Sequence, residues 1–145
     1  MTLREMRRED DAVQAIRDAL KAMPNDLVVL KGAADFLSVG GRDKDALAIF
    51  DRVTKLDPHD VMVWARKSEV LVRRGRLSQA ARALERAISL RPSEARLWLQ
   101  RGEVALQLGR AREAEQALTR CIALSTTSDE LTAMRARALL GRVVH

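Results

Sequence analysis

Aromatic side chains are nearly missing from this chain: two Trp, two Phe and no Tyr among 145 residues. Cysteine is scarcer still, and the single thiol of Cys121 excludes an internal disulfide framework. Only three prolines and seven glycines interrupt the chain, and no β-rich run bounded by turn residues argues for a sheet. No apolar stretch approaches the ~18–20 residues that a membrane span needs, so no membrane partner is expected. The opening Met1-Thr2-Leu3-Arg4-Glu5 lacks the apolar core of a secretion signal, which makes a cytoplasmic location the expectation. The two histidines, His59 and His145, lie far from Cys121 and from each other, without metal-ligand spacing. Gly40-Gly41 ends a helix and builds no phosphate loop. With no convergent set of titratable groups, the sequence predicts no catalytic residue, no metal, no cofactor and no enzyme.

What is present is a helix-forming palette. Hydrophobic residues make up 47% and charged residues 32%, with Ala, Leu, Val, Arg and Glu dominant. The net charge of +6 invites a nucleic-acid reading. Arginine is spread along the chain, however, and the densest cluster, Arg73-Arg74-Gly75-Arg76, has no interleaved aromatic for base stacking. Specific nucleic-acid binding is not expected, and a basic nucleic-acid-associated scaffold stands as the alternative reading.

The punctuation is periodic. Pro24, Pro58 and Pro92 are spaced by 34 residues, and so are Gly41, Gly75 and Gly109. Ala12, Ala46, Ala80 and Ala114 keep the same step, as do Ile16, Phe50, Leu84 and Leu118, and Ala19, Val53, Ala87 and Cys121. Such a period is the signature of a stacked repeat. Proline cannot continue a helix, so each marks a place where one has ended. Each mid-unit glycine suits the positive φ of a helix C-terminus. Asn25-Asp26 and Ser93-Glu94 offer N-caps, and Thr127-Ser128-Asp129-Glu130 reads as a capping box. Helices are predicted at about 9–22, 27–39, 43–56, 61–74, 77–90, 95–108, 111–124 and 129–142.

The pattern resembles the tetratricopeptide repeat, Trp-x2-Leu-Gly-x2-Tyr, then Ala-x3-Phe, then Pro. Its Trp position holds Leu30, Trp64 and Trp98; its Gly position holds Ala34, Ser68 and Gly102; its Tyr position holds Leu37, Leu71 and Ala105. The Leu position departs, holding Ala33, Lys67 and Arg101. The resemblance implies an all-α, right-handed superhelical solenoid of antiparallel helix pairs. It implies a single domain over 1–145, with full repeats at 27–60, 61–94 and 95–128. Residues 9–26 are then the second helix of a partial repeat, and 129–145 a capping or partial-repeat helix. Residues 1–8 read as too short and polar for a further full helix. Trp98 is expected to be buried against Leu118.

The same resemblance implies a non-catalytic protein-interaction module whose first helices line a concave groove. Groove positions would hold Val28, Lys31, Asp35, Met62, Arg66, Glu69, Arg96, Leu99 and Glu103. Asp35, Glu69 and Glu103 form an acidic row, with Arg137 next in phase, so a peptide partner with a basic segment is expected. A family variant grips a C-terminal carboxylate with Lys, Asn and Arg. Lys31 and Arg96 match two of those positions, but Asp35 and Gln100 do not, so that ligand is not implied. A second ladder, Arg8, Arg42, Arg76 and Arg110, follows the glycine phase. It reads as cations satisfying helix C-terminal carbonyls, or else as a basic ridge. Self-association through open solenoid ends is a further expectation.

Overall fold

The computed structural model describes residues 1–144, and His145 lies outside the described residues. Among the described residues eight α-helices follow in order: α1 Leu3–Ala22, α2 Leu27–Val39, α3 Asp43–Leu56, α4 Val61–Arg73, α5 Leu77–Leu90, α6 Ala95–Gln107, α7 Ala111–Leu124 and α8 Glu130–Val144. A 3-10 turn at Thr127–Asp129 precedes α8, and there is no strand among the described residues. All three prolines fall between helices. No helix among the described residues is long and apolar enough to cross a membrane. The chain divides into two compact units, Met1–Pro58 and the part from His59 onward.

In the unit Met1–Pro58, α2 packs against both α1 and α3. Leu30 and Ala34 of α2 are fully buried, as are Ala46 and Val53 of α3, with Phe50 almost so. The Asp26 carboxylate caps α2 by accepting from the Val29 N–H at 3.0 Å. Helix α1 begins at Leu3, six residues before the predicted start. The reason is a capping box: Thr2 Oγ1 accepts from the Glu5 N–H at 3.2 Å, and Glu5 Oε2 accepts from the Thr2 N–H at 2.7 Å. The Thr2-x-x-Glu5 spacing was legible in the sequence.

In the second unit, α4–α5 and α6–α7 form pairs, and α8 packs on α7 and α6. Leu84, Ala80 and Ala87 fill α5, while Leu118, Ala114 and Cys121 fill α7, all fully buried. Gly102 occupies a close approach: a Cβ there would stand 2.7 Å from Leu118 Cδ2 and 2.8 Å from its Cγ. At the same repeat position the buried Ser68 hydroxyl donates to the Ala65 carbonyl at 2.6 Å. Trp98 is only half-buried, contrary to expectation. Its indole N–H donates to the Pro92 carbonyl at 2.8 Å, which holds one edge of the ring at the surface.

At the arginine ladder the glycine turns close the helix ends through the backbone. Gly41, Gly75 and Gly109 have φ of 76°, 74° and 73°, the left-handed region where a side chain is strained. The backbone N–H of the following arginine then reaches the carbonyl five residues back, Arg42 to Leu37, Arg76 to Leu71 and Arg110 to Ala105, at 2.8–2.9 Å. This is the Schellman closure, made by the backbone. Each arginine is also the N-cap residue of the next helix, without a side-chain cap. The guanidinium of Arg42 lies 3.7 Å from Asp10, and that of Arg110 lies 3.7 Å from Glu113. Arg8 lies inside α1 and follows no such turn.

Two expected caps also differ. Glu94 is the N-cap residue of α6 but makes no side-chain cap bond, its carboxylate engaging Arg91 at 3.2 Å. The expected capping box at Thr127 is replaced by the 3-10 turn, in which Thr126 Oγ1 donates to Asp129 Oδ2 at 3.2 Å.

Candidate peptide-binding cleft

The unit that begins at His59 carries a cleft of about 170 Å³ lined by Ser68, Glu69, Val72, Leu84, Gln100, Glu103, Val104 and Gln107. Its walls come from the parallel-phase helices α4 and α6, and its floor includes Leu84 of α5. Along α6, Gln100, Glu103 and Gln107 recur at i, i+3 and i+7, which places them on one face. Val104, one residue from Glu103, turns inward and is buried. The cleft is therefore apolar at its base and rich in oxygen acceptors at its rim.

The rim is already organised by hydrogen bonds. Gln100 Nε2 donates to Glu69 Oε1 at 3.1 Å, which ties α6 to α4. A carboxylate oxygen only accepts, so the amide must present its nitrogen there, and the Gln100 oxygen points elsewhere. That oxygen is buried without a protein donor. Glu103 Oε1 accepts from Arg135 Nε of α8 at 2.6 Å. Arg135, two residues before the Arg137 that continues the row's phase, is thus the cation bonded to Glu103. At the neighbouring position Arg101, largely buried, bridges Glu85 of α5 at 3.1 Å and Glu113 of α7 at 3.0 Å. Lys67 holds its ammonium 5.1 Å from the centroid of the Trp64 ring.

The expected groove residues divide between the two units. Val28, Lys31 and Asp35 stand on α2, with Val28 exposed and the two charged residues half-buried. In the other unit Glu69 and Glu103 are brought to the same cleft. Met62, Arg66 and Arg96 are exposed on α4 and α6 outside its lining. Leu99 packs against the core formed by Leu118, Cys121 and Ala136. Sequence reasoning did not select Ser68, Leu84, Gln100, Val104 and Gln107 as lining residues. The polar i, i+3, i+7 stripe on α6 was the available signal for three of its members.

Two other hollows are weaker candidates. One of about 690 Å³ runs along α7 and is lined only by Arg112, Glu115, Gln116, Thr119, Arg120 and Ala123 of that one helix, so no second element converges on it. One of about 210 Å³ lies in the first unit between α1, α2 and α3, with Arg17 and Asp45 among apolar residues. Among the described residues, no group of three or more His, Cys, Asp or Glu is placed to hold a metal ion. The Cys121 thiol is fully buried, and desolvation pushes its pKa above the usual value while the Ser125 hydrogen bond lowers it in part.

Known proteins share this architecture. Two family models, both described as tetratricopeptide repeat, match residues 3–69 and 66–129. The crystal structure of PcrH from Pseudomonas aeruginosa is 26% identical with a TM-score of 0.76, over 82% of this chain and 92% of that one. PcrH in complex with the chaperone binding region of PopD is 25% identical, TM-score 0.75, over 88% and 92%. The Yersinia enterocolitica type III secretion chaperone SycD, in complex with a peptide of the translocator YopD, is 20% identical with a TM-score of 0.75 over 79% and 89%, a likeness of fold. No curated protein matches the chain in sequence.

Proposed function

The chain belongs to the tetratricopeptide repeat family, and from that premise we propose that it is a non-catalytic protein-binding module that receives a peptide segment of another protein. The observation that carries the reading is the cleft between α4 and α6, apolar at Leu84 and Val104 and ringed by the acceptors Glu69, Glu103 and Gln100. Its volume of about 170 Å³ is below the roughly 300–1,000 Å³ of small-molecule pockets and suits a side chain of a docked segment instead. PcrH, the similar protein described above, forms a complex with the chaperone binding region of PopD. That a relative of this fold takes up a segment of another protein supports the same kind of activity here.

The finer reading concerns the partner's chemistry. A segment carrying Lys or Arg beside an aliphatic residue places the aliphatic group against the half-buried Val72 in the cleft, above the buried Leu84 and Val104, and its cation among the rim carboxylates. Charge-assisted bonds of that kind are roughly twice as strong as neutral ones. Arg135 already sets a positive charge against Glu103, whereas the Gln100 amide that bonds Glu69 is neutral, so Glu69 has more charge to offer a partner cation. Panning the immobilised chain against a random short-peptide library tests both levels. The expected outcome is selection of peptides with a basic residue next to an aliphatic one, bound less well by the Glu69→Gln, Glu103→Gln variant at low salt. Selected peptides that are acidic, or that bind the variant equally, would remove the acidic-rim reading. Failure to select any peptide would remove the binding-module reading itself.

A further inference from the structure

In the second unit one side chain bridges α5 and α7. Arg101 of α6, with only 12% of its side chain exposed, reaches Glu85 of α5 at 3.1 Å and Glu113 of α7 at 3.0 Å. Two 34-residue steps earlier, the same three positions hold Ala33, Arg17 and Asp45. Ala33 of α2 is buried, and its methyl group is too short to span to either neighbouring helix. The equivalent space in the first unit stays open, as the hollow of about 210 Å³ between α1, α2 and α3.

The base and the rim of this hollow differ in chemistry. Val13, Leu37 and Ile49 are buried at its base, with Ile16 and Leu20 half-buried above them. Arg17 on the α1 wall and Asp45 on the α3 wall are exposed, so the hollow opens to solvent. Neither of these two side chains makes a hydrogen bond or ion pair among the described residues. In the second unit both walls are acidic, and a cation fills the space between them. In the first unit the walls carry opposite charges, so a lone cation meets one attraction and one repulsion. The group that fits brings an anion to α1 and a cation to α3, with aliphatic carbon between them.

We propose that this hollow is a second docking site, which takes a segment of a partner protein in which an aliphatic residue stands between an acidic and a basic one. The aliphatic side chain packs against Ile16 and Leu20, above the buried Leu37 and Ile49. The partner's carboxylate bonds the Arg17 guanidinium, whose planar fork offers two parallel donors, and its base bonds the Asp45 carboxylate. The volume is below the roughly 300–1,000 Å³ of small-molecule pockets, which favours one side chain of a docked segment. This site lies within the first unit and draws on no residue of the α4–α6 cleft.

The test uses the full chain, isotope-labelled, and the probe acetyl-Gly-Glu-Leu-Lys-Gly-amide, followed by amide chemical shifts at low salt. Saturable shifts are expected at Val13, Ile16, Leu37 and Ile49. Replacing the probe's Leu by Ala weakens binding about tenfold or more, because three apolar carbons are lost. Arg17→Glu exchanges the preference: this variant binds a probe with Lys in place of Glu better than the original probe, and the unaltered chain does the reverse. A variant that had lost its fold binds neither. Ala33→Arg combined with Arg17→Glu rebuilds the arrangement of Arg101, Glu85 and Glu113, and abolishes the shifts while circular dichroism matches the unaltered chain. If that double variant loses helicity, the charge exchange in Arg17→Glu decides alone. The proposal is overturned by an absence of shifts at the four residues, or by shifts confined to Glu69, Gln100 and Glu103, a result that leaves the α4–α6 cleft intact. Equal binding of the Leu and Ala probes, an unchanged charge preference in Arg17→Glu, or a folded double variant that still responds would each overturn it too.

Discussion

The α2–α3 pair and the α6–α7 pair follow one 34-residue pattern but close their interiors differently. In α2–α3 the large residue is Phe50, facing an interior that includes the fully buried Leu30 and Ala34. In α6–α7 the first helix contributes Gly102, and Leu118 sits so near that a methyl group there would overlap it. Trp98 at the Leu30 position keeps its N–H on the Pro92 carbonyl and stays half-exposed. Arg101, where α2 has the buried Ala33, spans to Glu85 and Glu113. The repeat therefore constrains which positions face inward more tightly than which side chains fill them. Compensation occurs within each pair, because interiors are filled to near-crystalline density.

Truncation of the large residues should have the largest effects. Phe50→Ala is expected to cost about 3–5 kcal/mol and Leu118→Ala about 2–5 kcal/mol, read as lowered denaturant midpoints. Hydrogen exchange should show the loss concentrated in the unit that holds the substitution, since repeat stability is carried by neighbours. Uniform loss across both units would break the comparison. Trp98→Ala should cost less than Phe50→Ala because its ring is already part-solvated, and an equal loss would overturn that reading.

Gly102→Ala comes next and sharpens the contrast. Overpacking against Leu118 is expected to cost about 1–3 kcal/mol, against a helix-propensity gain of about 1 kcal/mol. The pair should be coupled: combined with Leu118→Ala, the Gly102→Ala substitution should become neutral or stabilising by equilibrium unfolding. Additive effects in the double variant would show that the close approach is unimportant. Smaller still is Gly75→Ala, where only the φ of 74° is at stake and about 1 kcal/mol is expected. The least effect on stability belongs to Glu69→Gln with Glu103→Gln, under about 1 kcal/mol, since exposed pairs contribute little. Cys121, buried in α7 with its pKa raised, should react with a thiol reagent only as fast as the second unit opens.

Much of the fold was legible because proline and glycine act locally. Pro24, Pro58 and Pro92 cannot lie inside these helices, and Gly41, Gly75 and Gly109 adopt positive φ. The early start of α1 was equally local and was available in Thr2 and Glu5. The cleft was only half legible. Glu69 and Glu103 followed from phase, but Leu84 and Gln100 join them through the packing of three helices that no single period describes. The partner of Glu103 depended on α8 lying against α6, which brings Arg135 to it.

By itself, then, the sequence determined the helices, their ends, their 34-residue phase and the family they belong to, because each rests on backbone rules that act within a few residues. Tertiary structure alone decided that Gly102 is an approach site, that Trp98 is only half covered, and which carboxylates already hold a cation. Those properties depend on which surfaces meet, and a helix carries the same periodicity whether or not its apolar face has found a partner.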